Sequence, residues 1–120
     1  MQYVPTSAEL LATIGDLIDD ELLPALPGPL QHKARVAANL SRILERQERL
    51  EPAAHQREHA LLSKLLGHDG DPVELSAELA ARLRSSNDPS FDRDAWAVIV
   101  AIVRDDLAIA KPGHDGWEGR

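Results

Sequence analysis

The sequence predicts an all-α protein, a compact bundle of about five helices with mostly antiparallel neighbours. Aromatic residues make up only 3% of the 120 residues, so the core must be aliphatic, and Ala and Leu favour helices over strands. Apolar residues recur at three- and four-residue spacing in several segments. Prolines and glycines separate these segments by short connections, which favour antiparallel packing of consecutive helices.

The first two helices are delimited by a cap and by a proline-rich break. We predict the first helix at about residues 7–23, because Thr6 and Glu9 before its apolar run fit a capping box. The run 24–29 contains three prolines and ends this helix, since proline cannot continue a helix. The second helix is predicted over residues 28–50.

Prolines also delimit the remaining helices. Pro52 is expected to close the second helix and open the third. Asp71 is expected to cap the fourth helix, and Asp88 precedes the proline that opens the fifth. Pro112 ends the fifth helix. The last three predicted helices span about residues 52–66, 72–84 and 89–111.

Size, charge and composition set the broad class. We predict one helical domain over residues 1–112, followed by a C-terminal tail, 113–120. The formal net charge of −7 predicts no nucleic-acid partner, because phosphate backbones repel an acidic chain. The absence of cysteine excludes disulfides. No leader-like N-terminus and no apolar run of about 20 residues is present, so we expect no membrane partner and a cytoplasmic location.

Two carboxylates fall on predicted apolar faces. Glu21 lies on that of the first helix and Asp106 on that of the fifth. A buried carboxylate must be paired or neutralised. The nearest candidates lie on one edge of the second helix: His32, Arg35 and Asn39. Three interpretations stay open: a structural polar cluster, carboxylates at helix ends in water, and a polar pocket that receives a small ligand.

The same edge of the second helix continues toward its C-terminal end as a row of arginines. Arg42, Arg46 and Arg49, interspersed with glutamates, are typical of an exposed helix face. We predict that these three arginines form an outward contact surface. Complementary acidic residues on the first helix would pair with them within one chain, or across a two-fold axis in a homodimer.

The segment from His55 to His59 has the pattern H-x-x-E-H, which resembles an inverted zinc-protease motif. Histidines four residues apart share a helix face and would bind one metal ion together. Such enzymes need a distant third ligand and a substrate cleft, for which this chain has little room. His55 and His59 are therefore only a weak metal candidate, and we predict no metal and no cofactor.

Several short motifs resemble a small bacterial all-helical family catalogued as a domain of unknown function. They are P-T-x-x-E-L-L at 5–11, E-L-L-P-A-L at 21–26, H-K-A-R-V-A-A-N-L at 32–40, L-S-A-E-L-A-A-R-L-R at 75–84 and L-A-I-A-K-P at 107–112. The resemblance implies a protein found alone, or beside or fused to kinases that resemble aminoglycoside phosphotransferases, and near acyl-CoA dehydrogenases. It implies no activity of the domain itself.

These observations predict an accessory or interaction module, not an enzyme. Its partner is expected to be a kinase-like or acyl-CoA dehydrogenase-like protein. The alternative is a small-molecule binder or minor enzyme with a polar pocket around Glu21, Arg35 and Asn39.

Overall fold

The computed structural model describes residues 2–113, and all regular structure in that range is helical. The all-α class is confirmed, but this range forms four main helices instead of five. A π-helical turn, Ile18–Leu22, and a short helical segment, Leu23–Ala25, extend the first of them. The predicted tail lies outside the described residues apart from Gly113. The main helices are α1 (Ser7–Leu17), α2 (Gly28–Leu66), α3 (Pro72–Arg84) and α4 (Pro89–Ala110).

The prediction that Pro52 separates two helices is wrong. Helix α2 continues through Pro52 for 39 residues in total. A proline inside a helix removes one backbone hydrogen bond at a cost of about 3 kcal/mol. Strong helix formers on both sides of Pro52, among them glutamate, arginine, leucine and alanine, offset this cost because each favours helical geometry. The predicted second and third helices are therefore one helix.

The predicted helix boundaries are confirmed where caps define them. The Thr6 hydroxyl accepts a hydrogen bond from the Glu9 backbone N–H at 3.1 Å. The Asp71 carboxylate accepts one from the Val73 backbone N–H at 2.8 Å. Gly67 follows the end of α2 with a φ of 81°, a left-handed conformation that glycine adopts at helix C-termini without steric cost.

The described chain divides into two compact units, and the first comprises residues 2–51 and 109–111. Here α1 with its helical extension and the first part of α2 form an antiparallel hairpin, because only Leu26 and Pro27 separate that extension from Gly28. Small residues line the contact, and Gly15, Ala38 and Ser41 are buried. The Ser41 hydroxyl donates a 2.6 Å hydrogen bond to the Leu11 carbonyl, which joins the two helices.

The second unit comprises residues 52–108 and 112–113. Its core consists of aliphatic residues from α2, α3 and α4. Arg82 lies over the ring of Phe91 at 4.8 Å from the ring centroid, a cation–π contact. The Arg57 guanidinium donates two 2.9 Å hydrogen bonds to the Asp105 carboxylate. The buried members of the core are Leu62, Leu66, Leu75, Leu79 and Ala95.

Among the helices of residues 2–113, none combines the length and the hydropathy that crossing a membrane requires.

Candidate functional site

The predicted polar cluster is not buried. All five of its members are exposed, and none makes a hydrogen bond or an ion pair within residues 2–113. The structure therefore does not show a buried structural polar cluster, and the carboxylates of Glu21 and Asp106 are exposed to water. Four of them belong to the first unit and one to the second. Whether they bind a ligand stays a prediction. The five are Glu21, His32, Arg35, Asn39 and Asp106.

Glu21 is exposed because the side of α1 that faces α2 is not the side on which Glu21 lies. The apolar periodicity of the sequence predicts that the stripe through Leu10, Ile14 and Leu17 is the buried side of α1. The structure buries the side that carries Gly15 and leaves that stripe about half exposed. Glu21 follows this exposed stripe, so its carboxylate remains in water and needs no buried partner.

The three arginines of the predicted contact surface bond within the first unit. Arg42 pairs with Asp16 at 3.1 Å and with Asp19 at 2.8 Å. Hydrogen bonds to Asp19 and Asp16 raise the pKa of Arg42 above its ordinary value. Arg46 Nε donates to the Ile109 carbonyl at 2.7 Å. The predicted intramolecular pairing with the first helix is thus observed for Arg42.

The third arginine, Arg49, pairs with Glu45 one turn earlier on α2 at 3.0 Å. Such exposed pairs four residues apart contribute only about 0.3–0.5 kcal/mol. Because all three arginines have bonding partners in their own unit, they are poorly suited as a free contact surface. A role in binding a partner stays a prediction for them.

Replacing Arg42 with methionine is expected to lower the free energy of unfolding by roughly 1 kcal/mol or less. Two carboxylates lose their cation, but the Arg42 side chain is 37% exposed, so solvent screens both pairs. The loss should shrink in high salt. Urea unfolding at low and high salt measures it. Arg35→Met is the matched control, since Arg35 has no such partner, and an equal loss there would contradict the assignment.

The exposed stripe of α1 lies beside a second exposed stripe on α2. Successive helix residues are about 100° apart, which places Ile14 and Asp16 on opposite sides of Gly15. The Arg42–Asp16 pair shows that the polar sides of the two antiparallel helices coincide. The opposite sides of the two helices therefore also face in one direction. On α1 this side carries Ile14, and on α2 it carries leucines.

We call this surface the apolar face. It has six large aliphatic side chains, each between 43% and 55% exposed. Within the described residues, its α1 members lie at three- and four-residue spacing, as in the seam of a helix bundle. The largest exposed apolar patch of a protein is often functional. The six are Leu10, Ile14, Leu17, Leu30, Leu40 and Leu44.

The weak metal candidate gains no support from the geometry. Within residues 2–113, no group of three or more metal-ligating side chains lies close enough to hold an ion. His59 Nε2 instead lies 2.6 Å from an oxygen of the Asp69 carboxylate. That carboxylate also accepts the Gly70 backbone N–H at 2.7 Å. Both hydrogen bonds lower the pKa of Asp69, and the one from the Gly70 backbone N–H has the larger effect.

The neighbouring His68 organises the same loop between α2 and α3. Its two ring nitrogens lie 2.9 Å from the Asp69 carbonyl and 2.7 Å from the Glu78 carboxylate. Both contacts favour the doubly protonated ring and therefore raise the pKa of His68. The contact with the Asp69 carbonyl has the larger effect, and the contact with the Glu78 carboxylate the smaller one. The polar residues of this loop therefore hold the connection between two helices of the second unit.

One concave feature was not predicted from the sequence. A groove of about 230 Å³ in the second unit is lined almost entirely by apolar side chains of α2, α3 and α4. Glu58, the glutamate of the H-x-x-E-H pattern, is the only charged residue that lines it within residues 2–113. Catalysis by Glu58 would require further polar groups there, and the groove supplies one hydroxyl, that of Ser76.

The fold and its surfaces describe an all-α protein that exposes an apolar hairpin face. The model of one family, a domain of unknown function (DUF6285), matches residues 24–114. The match covers more than half of the chain, which therefore belongs to the DUF6285 family. The predicted resemblance to a domain of unknown function is thus confirmed, while its association with kinases or acyl-CoA dehydrogenases stays a prediction.

The family match begins within the segment between α1 and α2. It includes α2, α3 and α4 entirely and leaves α1 outside. The leucines of α2 on the apolar face lie within the match, and those of α1 precede it. No curated protein and no solved structure matches the chain.

Proposed function

We propose that this protein is a non-catalytic interaction module that binds a protein partner through the apolar face. The observation that carries the proposal is the exposure of six large aliphatic side chains on one side of the hairpin. Three come from α1 and three from α2. The polar side of the same hairpin, in contrast, carries internal ion pairs within the described residues.

The energetics favour covering this face. Six half-exposed aliphatic side chains present on the order of 500 Å² of apolar surface, at the upper end of what monomers expose. At about 25 cal/mol per Å², burial of this surface is worth on the order of 10 kcal/mol before the cost of association. A hairpin of two helices cannot bury the face itself, whereas a partner helix or helix pair would do so.

The alternative, a small-molecule site around Glu21, Arg35 and Asn39, has less support. All three side chains are exposed to solvent. Small-molecule sites are concave and bury most of the ligand, whereas exposed polar groups on helix surfaces are ordinarily solvated. The partner that we propose is therefore a protein, and the kinase-like and acyl-CoA dehydrogenase-like proteins implied by the family resemblance are the first to test.

The test is a binding titration by biolayer interferometry with these two classes of protein and with the chain itself. The double variant Leu17→Asp/Leu40→Asp should weaken binding at least about 100-fold, because two charges would be desolvated at the contact. Val73→Asp is the matched control, since Val73 is 78% exposed outside the apolar face, and it should bind normally. No binding by the unmodified chain, or binding that the double variant retains, would contradict the proposal.

A further inference from the structure

Resting on the proposed function, we propose that the protein which covers the apolar face is a second copy of this chain. Two hairpins would pack apolar face to apolar face and form a four-helix bundle. This is the ordinary way in which helix pairs with one apolar side complete a core. Most homo-oligomers are two-fold symmetric, so the same residues line both halves of the contact.

The two-fold axis that fits the hairpin runs parallel to the helices. This axis places α1 of one copy beside α2 of the other and keeps every residue at its own height in the bundle. Because α1 and α2 are antiparallel within each hairpin, all neighbouring helices of the resulting bundle are antiparallel. The leucines of α1 then contact those of α2 across the interface.

Two unpaired charges support this arrangement. Glu21 on the α1 side and Lys33 on α2 are both exposed, and neither has an ion pair within residues 2–113. Lys33 lies three residues after Leu30 and seven before Leu40, on the edge of the apolar face. Glu21 follows Leu17 by four residues, on the corresponding edge of the other helix.

The two charges lie at one height along the hairpin. The Ser41–Leu11 hydrogen bond sets the register of the helices. Glu21 lies ten residues beyond Leu11, and Lys33 lies eight residues before Ser41, so their heights differ by about two residues, or roughly 3 Å. Within one hairpin they occupy opposite outer edges. Across the proposed axis, each Glu21 meets the partner's Lys33.

The other face-to-face two-fold axis, perpendicular to the helices, reverses heights. It would place α1 against α1 and bring Glu21 to the partner helix near Leu10, where the apolar face has no cation. Charge complementarity therefore selects the axis parallel to the helices. Charged residues at bundle edges commonly select register and orientation in this way.

The size of the face fits a dimer. Stable protein interfaces bury about 800 Å² on each partner, with a polar rim around an apolar centre. The apolar face supplies on the order of 500 Å² of apolar side chain, and the flanking polar residues of two helices supply the rim. Charge repulsion between two acidic copies is locally relieved by two Glu21–Lys33 pairs.

Sedimentation equilibrium of the full chain at low salt tests the proposal. Glu21→Lys and Lys33→Glu should each raise the dimer dissociation constant about 10-fold, since two attractive pairs become repulsive. The double variant, which exchanges the charges, should return the constant to within about 3-fold of the unmodified chain. Lys64→Glu with Glu74→Lys is the matched control, because it makes the same exchange at exposed sites of the second unit.

A monomeric chain at hundreds of micromolar would overturn this inference, and so would a dimer that is insensitive to both single changes. The result that would overturn the proposed function is a different one from the result that would overturn the dimer. If the chain is monomeric but a kinase-like or dehydrogenase-like protein binds it and Leu17→Asp/Leu40→Asp abolishes that binding, the interaction module stands and the second copy is excluded. If neither association occurs, both proposals fall.

Discussion

Truncating Leu75 to alanine is expected to lower the free energy of unfolding by about 3 kcal/mol, within the usual range for buried leucines. Leu75 on α3 is 1% exposed and packs in the same core as Leu62 on α2, which is also 1% exposed. The substitution removes the contacts of three carbon atoms and leaves a cavity that close packing of neighbouring helices cannot fill. Urea unfolding followed by circular dichroism measures the loss.

Val73 provides the matched control for this prediction. It lies two residues from Leu75 on the same helix but is 78% exposed, so Val73→Ala should change the free energy of unfolding by no more than about 0.5 kcal/mol. Equal effects of Leu75→Ala and Val73→Ala would mean that α3 does not pack as described.

Replacing Gly15 with leucine is expected to destabilise the hairpin by roughly 1–2 kcal/mol, because the cost of overpacking exceeds the gain in helix propensity. Gly15 is buried where α1 meets α2, and a Cβ added there would already lie 3.3 Å from the Arg42 guanidinium carbon. The three atoms nearest to that Cβ all belong to the Arg42 side chain, so a full leucine side chain must displace Arg42 from its carboxylates.

Gly28 is the control for this substitution. A Cβ at Gly28 meets no atom within 4 Å, and an alanine in the first turn of α2 gains helix propensity. Gly28→Ala should therefore leave stability unchanged or raise it by less than about 1 kcal/mol. Thermal unfolding of the two variants separates a close helix contact from a general intolerance of glycine replacement. A stable Gly15→Leu protein would refute the tight contact.

Local signals predicted the helix boundaries well. The caps at Thr6 and Asp71 depend only on side chains three or fewer residues from the helix start, so the sequence is sufficient to find them. Pro52 could not be interpreted in the same way. Whether a proline ends a helix or is accommodated depends on the balance between about 3 kcal/mol and the stability of the helix on both sides, and a local pattern does not determine that balance.

The candidate site was predicted less well, for a different physical reason. Periodicity identifies which side of α1 is apolar, but not whether the chain itself covers that side. The structure places the small residue Gly15 against α2 and leaves Leu10, Ile14 and Leu17 half exposed. Close approach of two helices requires small residues, so Gly15 with Ala38 was the signal available in the sequence. It indicates the buried side better than the leucines do.

Whether the chain itself covers the apolar side of α1 also changes the interpretation of Glu21. On a buried face its carboxylate demands an internal cation, which suggested Arg35. On an exposed apolar face it would lie at the edge of the contact surface that we propose, where a carboxylate would select a partner by charge. The same residue pattern is compatible with an internal cluster and with an exposed surface, and the burial of Gly15 shows that this side of α1 is exposed.

The most direct test of the central claim, that a protein covers the apolar face, uses the absence of cysteine from the chain. A single thiol is introduced as Leu40→Cys or, as the control, as Val73→Cys, and its rate of labelling is measured as protein concentration rises or as a candidate partner is added. We expect strong protection of the thiol at position 40 and a constant labelling rate at position 73. Equal, unprotected labelling at both positions under all these conditions would contradict it.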